Sequence, residues 1–182
     1  MANKIHFEPN LDYQIQAIEA VCGLFRGQEI CRTEFTVTKA AVNQTSSMFE
    51  TDLGIGNRLT LLDEELLANL NDIQLRHGLM PSASLASGDF TVRMETGTGK
   101  TYVYLRTIFE MNKRFGFTKF VIVVPSVAIK EGVFHTIETA AEHLKTLYSG
   151  APFDFFIYDS AKLSPVRNFA TSSQIQIMVM TV

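Results

Sequence analysis

Residues 94–101 read Met-Glu-Thr-Gly-Thr-Gly-Lys-Thr, and this stretch decides the fold class that the sequence predicts. The four residues before it, 90–93, have a β-prone composition, and residues 102–115 have the pattern of a helix. A strand, a glycine-rich turn and a Gly-Lys-Thr sequence that opens a helix are the context in which such a turn binds phosphate. The stretch therefore predicts a P-loop between a strand and a helix.

Each residue type in this turn suits an anionic ligand. Gly97 and Gly99 lack a Cβ, so the backbone can adopt positive φ angles and turn its N–H groups toward a phosphate chain. The Lys100 ammonium can reach β- and γ-phosphates, and the Thr101 hydroxyl has the position that usually ligates Mg²⁺. We predict Lys100 and Thr101 as the catalytic residues. The predicted nucleotide-binding loop consists of Thr96, Gly97, Thr98, Gly99, Lys100 and Thr101.

Composition limits the possible functions. A chain of 182 residues suggests one domain or slightly more. The formal net charge of −3 excludes a polycationic nucleic-acid binder, so any DNA contact must be local. The two cysteines form neither a disulfide framework nor a zinc pattern, and we expect His135 and His143 to be solvated helix positions rather than metal ligands. No segment has the apolar length of a membrane span, so we expect a cytoplasmic protein without a membrane partner.

Residues 11–21 have apolar side chains at helical spacing and contain Tyr-Gln-x-x-Ala-Ile. This sequence resembles the Q motif of superfamily 2 helicases, in which a glutamine amide reads the adenine edge. An amide suits that task because it offers a donor and an acceptor side by side. By this match Gln14 is the base reader, Gln16 is the next candidate, and Phe7 is a candidate for stacking on the base. The alternative is an ordinary amphipathic first helix.

A long segment, residues 33–90, separates this helix from the P-loop. We predict a short strand over 33–37, a loop over 40–57, a helix over 59–79 and a loop over 81–89. The leucine stripe of the predicted helix indicates core packing, with a partner-binding groove as the alternative. The segment is therefore predicted to be an insertion, largely helical, before the P-loop.

The sequence after the P-loop helix alternates between strand and helix patterns. Residues 117–124 form a β-branched run bounded by glycine and proline, which favours a strand buried in a parallel sheet. A helix is predicted over 128–147, strands over 153–158 and 174–182, and mostly loop over 159–173. This order predicts an α/β fold of three layers, with a mostly parallel sheet covered on both faces.

The form Met-x-Thr-Gly-x-Gly-Lys-Thr, which has Met94 where the strict pattern has glycine, resembles superfamily 2 helicases and translocases. Residues 94–133, together with 54–59 and 153–182, are similar to the Res subunit of type III restriction–modification enzymes. The resemblance covers nearly the whole chain. It implies that residues 1–182 are the first of two RecA-like P-loop NTPase domains, incomplete here, in the N-terminal part of a longer subunit.

The resemblance also implies ligands and partners. It implies ATP and Mg²⁺ as cofactors, double-stranded DNA as a partner, and a DNA-methylating Mod subunit that recognises the site. Residues 125–130 match the motif that holds the DNA backbone in such enzymes, which assigns DNA contacts to Pro125, Ser126 and Lys130. The alternative for Ser126 is a helix cap without a ligand. Thr181 falls in a further DNA motif of the family.

One departure limits the expected activity. No Asp-Glu pair follows a strand downstream of the P-loop, although such a pair would complete a Mg²⁺ site and polarise water. We therefore expect this chain to bind Mg-ATP without efficient turnover, and DNA translocation and cleavage to belong to the full-length subunit. Two alternatives remain open, namely a P-loop small-molecule kinase and a truncated, non-catalytic P-loop module.

Overall fold

The computed structural model describes residues 7–38 and 51–182. The helices of this part are α1 (Asp12–Leu24), α2 (Asp63–Arg76), α3 (Lys100–Phe115), α4 (Val127–Leu147) and α5 (Leu163–Thr171). The strands are β1 (Arg32–Thr38), β2 (Thr51–Asn57), β3 (Lys119–Val124), β4 (Phe153–Ile157) and β5 (Ile175–Thr181). The structure confirms the predicted α/β class with a parallel sheet.

The parallel sheet has the order β3-β5-β4, with β5 in the centre. On one face of β5, Ile177 and Val179 are fully buried against side chains of α3 and α4, including Leu105 and Ile137. A central strand must bury both faces, and the apolar residues of β5 suit that position. On the other face Gln176 is also buried, and its amide is hydrogen-bonded to Asp154 Oδ2 and Ser172 Oγ at 3.2 Å.

A second cluster fixes the first helix to the P-loop helix. Ala17, Ile18 and Cys22 of α1 pack on Val103 and other apolar residues of α3. Burial raises the pKa of the Cys22 thiol to about 11, so this cysteine stays protonated and acts as a packed apolar side chain. The contact brings the start of α1 to the start of α3.

The segment 33–90 is less helical than predicted, because residues 51–57 form β2 and pair antiparallel with β1. The predicted loop over 40–57 is therefore wrong over 51–57, and its first part, 40–50, lies outside the described residues. The glycines that suggested a loop have a packing role. A Cβ on Gly54 would lie 2.4 Å from the ring of Phe35, so only glycine lets that ring cross the strand.

Three other expectations differ from the structure. Residues 90–93 pair with no strand of the described part, so the predicted strand before the P-loop is wrong here. The helix predicted over 59–79 is shorter, because the Glu65 carboxylate accepts from the Leu62 N–H at 2.9 Å and fixes the helix start at Asp63. The predicted loop over 159–173 contains α5, a short helix without a side-chain cap in which proline lies within the first turn.

A single amide joins the β1–β2 hairpin to the parallel sheet. Asn57 Oδ1 accepts from the N–H groups of Thr118 and Lys119 at 2.8 and 3.0 Å, and Asn57 Nδ2 donates to the Lys119 carbonyl at 2.7 Å. At the other end of β2, Asp52 forms an ion pair with Arg167 of α5. The hairpin is therefore held at both ends of β2.

We predict that Asn57→Ala lowers the free energy of unfolding by about 1–3 kcal/mol, because it leaves the N–H of buried Thr118 without its acceptor. Asn57→Asp keeps the acceptor and loses only the donor, so its cost should be smaller. Urea unfolding at constant m-value measures both effects. Equal stability of the wild-type protein and Asn57→Ala would contradict this role.

Candidate nucleotide-binding site

The glycine-rich loop ends at the N-terminus of α3. Gly97 and Gly99 have φ angles of +82° and +79°, as the sequence predicts. Gly99 is the residue before the helix, and its carbonyl accepts from the Val103 N–H at 3.0 Å to close the first turn. The first N–H groups of a helix have no partner within the helix and carry a partial positive charge. The loop therefore presents donors to an anion.

The Lys100 ammonium lies inside the loop. It donates to the Glu95 backbone carbonyl, which also accepts from Thr98 Oγ1 at 2.7 Å. The Glu95 carbonyl thus accepts hydrogen bonds from both a cation and a hydroxyl of the same turn. The position of Lys100 next to the loop backbone is the one that a cation needs in order to meet a phosphate held there.

Gln14 contacts the same loop from α1. Its side chain is buried, and its Nε2 donates to the Thr98 carbonyl at 3.0 Å. A Cβ on Gly99 would lie 2.8 Å from that nitrogen, so a side chain there would displace the Gln14 amide from the loop. The Oε1 atom of Gln14 is fully buried and has no hydrogen-bond partner among the described residues. A buried acceptor without a partner next to the loop suits a ligand that carries an N–H donor, as adenine does.

The structure places Phe7 beside the P-loop helix. The Phe7 ring stacks on Tyr102 with a centroid distance of 5.2 Å and an interplanar angle of 15°. The Tyr102 hydroxyl and His143 Nε2 are 2.7 Å apart and share a hydrogen bond. Sequence reasoning missed Tyr102 and predicted His143 to be solvated, which is wrong because its ring contacts buried groups. The only signal was an aromatic residue in the first turn of the P-loop helix.

An apolar groove opens beside the loop. It has a volume of about 570 Å³ and lies between α1, residues 92–94, α3 and strand β3. Lys100 lies at its wall, and most of the remaining lining is apolar. Val121 and Val123 of β3 are about half exposed, at 48% and 55%, although they stand in a strand of the parallel sheet. Among the described strands, β3 pairs with β5 alone, so its other edge is open.

The predicted DNA-contacting residues lie at the C-terminal end of β3. Pro125 and Ser126 are exposed, and Lys130 is half-buried in the first turn of α4. Ser126 caps α4, since its Oγ accepts from the Ile129 N–H at 3.3 Å. The cap is the alternative that the sequence left open, and contact with DNA stays a prediction.

The residues that the structure describes hold no group of three or more His, Cys, Asp and Glu side chains that could bind a metal ion. A Mg²⁺ ion bound through one hydroxyl and the phosphates of a nucleotide needs no such group, and Thr101 follows Lys100 at the start of α3. No helix in the described part is long and apolar enough to cross a bilayer.

These features define an α/β protein with a P-loop at the start of a helix. The family model for the type III restriction enzyme Res subunit matches residues 9–182. The chain belongs to this family.

Three relatives illustrate the similarity. The Res subunits of the type III enzymes EcoP15I of Escherichia coli and EcoPI of Escherichia phage P1 are each 31% identical over 153 residues. Each match covers 81% of this chain and 14% of the relative. The StyLTI Res subunit of Salmonella typhimurium is 52% identical over 59 residues, which are 31% of this chain and 6% of the relative. The chain thus spans about 14% of the length of the relatives that match most of it.

We predict a graded loss of stability across three Gly→Ala variants. Gly88 has open space and an ordinary φ, so its replacement should cost little. Gly97 has open space but a φ of +82°, which should cost about 1–2 kcal/mol. Gly99 combines a φ of +79° with the close approach of Gln14, so its replacement should cost more than that of Gly97. Denaturant unfolding measures all three, and equal costs at Gly88 and Gly99 would contradict the loop geometry.

Proposed function

We propose that this chain is the N-terminal ATP-binding motor part of the Res subunit of a type III restriction–modification enzyme. In this proposal residues 1–182 form the first RecA-like domain of that subunit, and residues 33–90 are an insertion in it. The observation that carries the proposal is the convergence of Gln14, Gly99 and Lys100 on one turn at the start of α3. Family membership supports the same assignment.

The loop residues have separate tasks in nucleotide binding. The N–H groups around Gly97 and Gly99 hold the phosphates, and Lys100 leaves the Glu95 carbonyl to compensate their charge. Gln14 keeps its bond to the Thr98 carbonyl and offers Oε1 to the base. The Thr101 hydroxyl would hold a Mg²⁺ ion, which would neutralise part of the phosphate charge.

The proposal assigns nucleotide binding to this chain and efficient turnover to the longer subunit. The open edge of β3, the apolar groove and the unpaired residues 90–93 are features of a sheet that can accept further strands. The sequence offers no Asp-Glu pair after a strand downstream of the loop, and we propose that the longer subunit supplies the carboxylate that activates water. ATP-dependent DNA translocation and DNA cleavage are therefore proposed for the full-length Res subunit in the cytoplasm.

The proposed partners are double-stranded DNA and the Mod subunit of the same system. For DNA, the proposed contacts are Pro125, Ser126 and Lys130 at the exposed start of α4, where backbone N–H groups and one ammonium can meet a phosphate. Because the formal net charge is −3, the chain as a whole does not attract DNA, and the proposed contact is therefore a local one. The Mod subunit is proposed as a partner because the similar proteins are Res subunits of type III restriction–modification enzymes.

We predict that Lys100→Ala weakens Mg-ATP binding about ten-fold or more, because a charge-assisted bond to phosphate is lost. Isothermal titration calorimetry measures the affinity. Lys113→Ala is the matched control, since Lys113 is an exposed lysine in the last turn of the same helix. Equal affinity of the wild-type protein and Lys100→Ala would contradict the proposal.

Thermal unfolding with Mg-ATP distinguishes the proposed nucleotide-binding function from the alternative of a non-catalytic P-loop module that binds no ligand. A ligand at 100 times its dissociation constant stabilises the folded state by about 2.7 kcal/mol, which raises the melting temperature. A remnant that binds nothing shows no shift. Phosphoryl transfer to a small-molecule acceptor without any effect of DNA would instead indicate a P-loop kinase.

A further inference from the structure

A cluster of aromatic rings joins the segment before α1 to the start of the P-loop helix. Phe7 stacks on Tyr102 and also lies 5.2 Å from the His143 ring. Tyr102 is only 6% exposed, and its hydroxyl is 2.7 Å from His143 Nε2 on α4. Burial raises the pKa of Tyr102, partly offset by Arg106, so the hydroxyl keeps its proton for this bond.

A second contact holds the same short segment. Arg106, one turn along α3 from Tyr102, donates to the Pro9 carbonyl, and its guanidinium lies 5.8 Å from the centre of the Tyr102 ring. Residues 7–9 are therefore fixed to α3 at both ends. The chain then enters α1 at Asp12 and reaches Gln14 within its first turn.

This arrangement sets the position of Phe7 relative to Gln14. Gln14 is bonded to the Thr98 carbonyl of the loop, and Tyr102 lies two residues after Lys100 on the helix that the loop opens. Gln14 thus contacts the loop directly, and Phe7 is held on the helix that the loop opens through its stacking on Tyr102. In the proposed function, the base of a nucleotide whose phosphates occupy the loop meets Gln14 Oε1, which has no hydrogen-bond partner among the described residues, and Phe7 is the candidate to stack on that base.

We infer that Tyr102 and His143 are positioning residues for the purine base of the nucleotide, and that they act by holding Phe7 at the base end of the site. The inference rests on the proposed nucleotide-binding function and extends it to two residues that do not themselves contact phosphate. The physical reason is rigidity, because a ring that is already stacked and anchored loses little freedom when a base packs against it. Without the Tyr102–His143 bond, residues 7–9 would be ordered only when the nucleotide binds, and this ordering would lower the affinity for the nucleotide.

The test compares two probes, Mg-ATP and Mg-tripolyphosphate, on the same variants by calorimetry. Tripolyphosphate reports on the loop alone, whereas ATP also reports on the base. Tyr102→Phe keeps the ring and removes one hydrogen bond, so we expect ATP affinity to fall about three- to ten-fold with tripolyphosphate affinity unchanged. His143→Gln keeps a polar group of similar length, and should recover part of the affinity that His143→Ala loses.

Thr107→Val is the matched control. It removes a buried hydroxyl from the same helix, one that donates to the Val103 carbonyl at 2.9 Å. A merely structural role for Tyr102 predicts that Tyr102→Phe and Thr107→Val change both probes alike. The inference predicts that only Tyr102→Phe changes the ratio of the two affinities.

A double-mutant cycle of Phe7→Ala and Tyr102→Phe completes the test. If Tyr102 acts through Phe7, the second substitution should have little further effect on ATP binding once Phe7 is absent. Additive effects, or parallel losses of ATP and tripolyphosphate binding, would overturn the inference. Failure of the wild-type protein to bind either probe, or insensitivity of both affinities to Lys100→Ala, would instead overturn the proposed function on which it rests.

Discussion

The turn at Gly99 is the constraint on which the rest of the site depends. Its φ of +79° lets the chain reverse into α3, and its missing side chain leaves room for Gln14 Nε2. The same contact explains why α1 packs where it does, since Gln14 must reach the loop while Ala17, Ile18 and Cys22 cover the apolar side of α3. One glycine thus links the direction of a helix, the shape of the loop and the docking of another helix.

The parts of the fold that could be predicted from sequence are those where a local pattern and its tertiary role agree. Strand β3 is a β-branched run between a glycine and a proline, and it lies in the parallel sheet as that pattern indicates. The predicted burial of this strand is wrong for Val121 and Val123, which are about half exposed. Helix α4 follows a serine that caps it. The family could also be recognised, because the loop sequence is specific and lies in a chain that matches over residues 9–182.

The errors occurred where a residue has a role in packing that its local pattern does not reveal. Gly54 suggested a loop, yet it lies in a strand beneath Phe35, which no composition rule indicates. Residues 90–93 have a β-prone composition but lack a partner strand in the described part, and composition cannot supply a partner. Helix α5 is short, has no side-chain cap, and is fixed instead by a distant ion pair between Arg167 and Asp52.

In the candidate site, too, some features could be predicted from local sequence and others depend on tertiary packing. The loop residues follow from the motif, whereas the contact of Gln14 with the backbone of Thr98 and the bond between Tyr102 and His143 depend on helices that lie far apart in the chain. No local signal connects residues 102 and 143. The pairing becomes visible only when α3 and α4 pack over the same face of the sheet.

The hydrogen bond from Lys100 to the Glu95 carbonyl limits how much nucleotide affinity the Lys100→Ala variant can lose. In this structure the ammonium already donates to the Glu95 carbonyl, which Thr98 Oγ1 also contacts. A phosphate therefore replaces an existing bond, and the affinity reflects the difference between two charge-assisted contacts. The carbonyl of Glu95 keeps Thr98 as a donor when Lys100 turns to the ligand, so the carbonyl stays hydrogen-bonded after the exchange. This shared carbonyl is what lets the lysine be held near the phosphate position without being locked there.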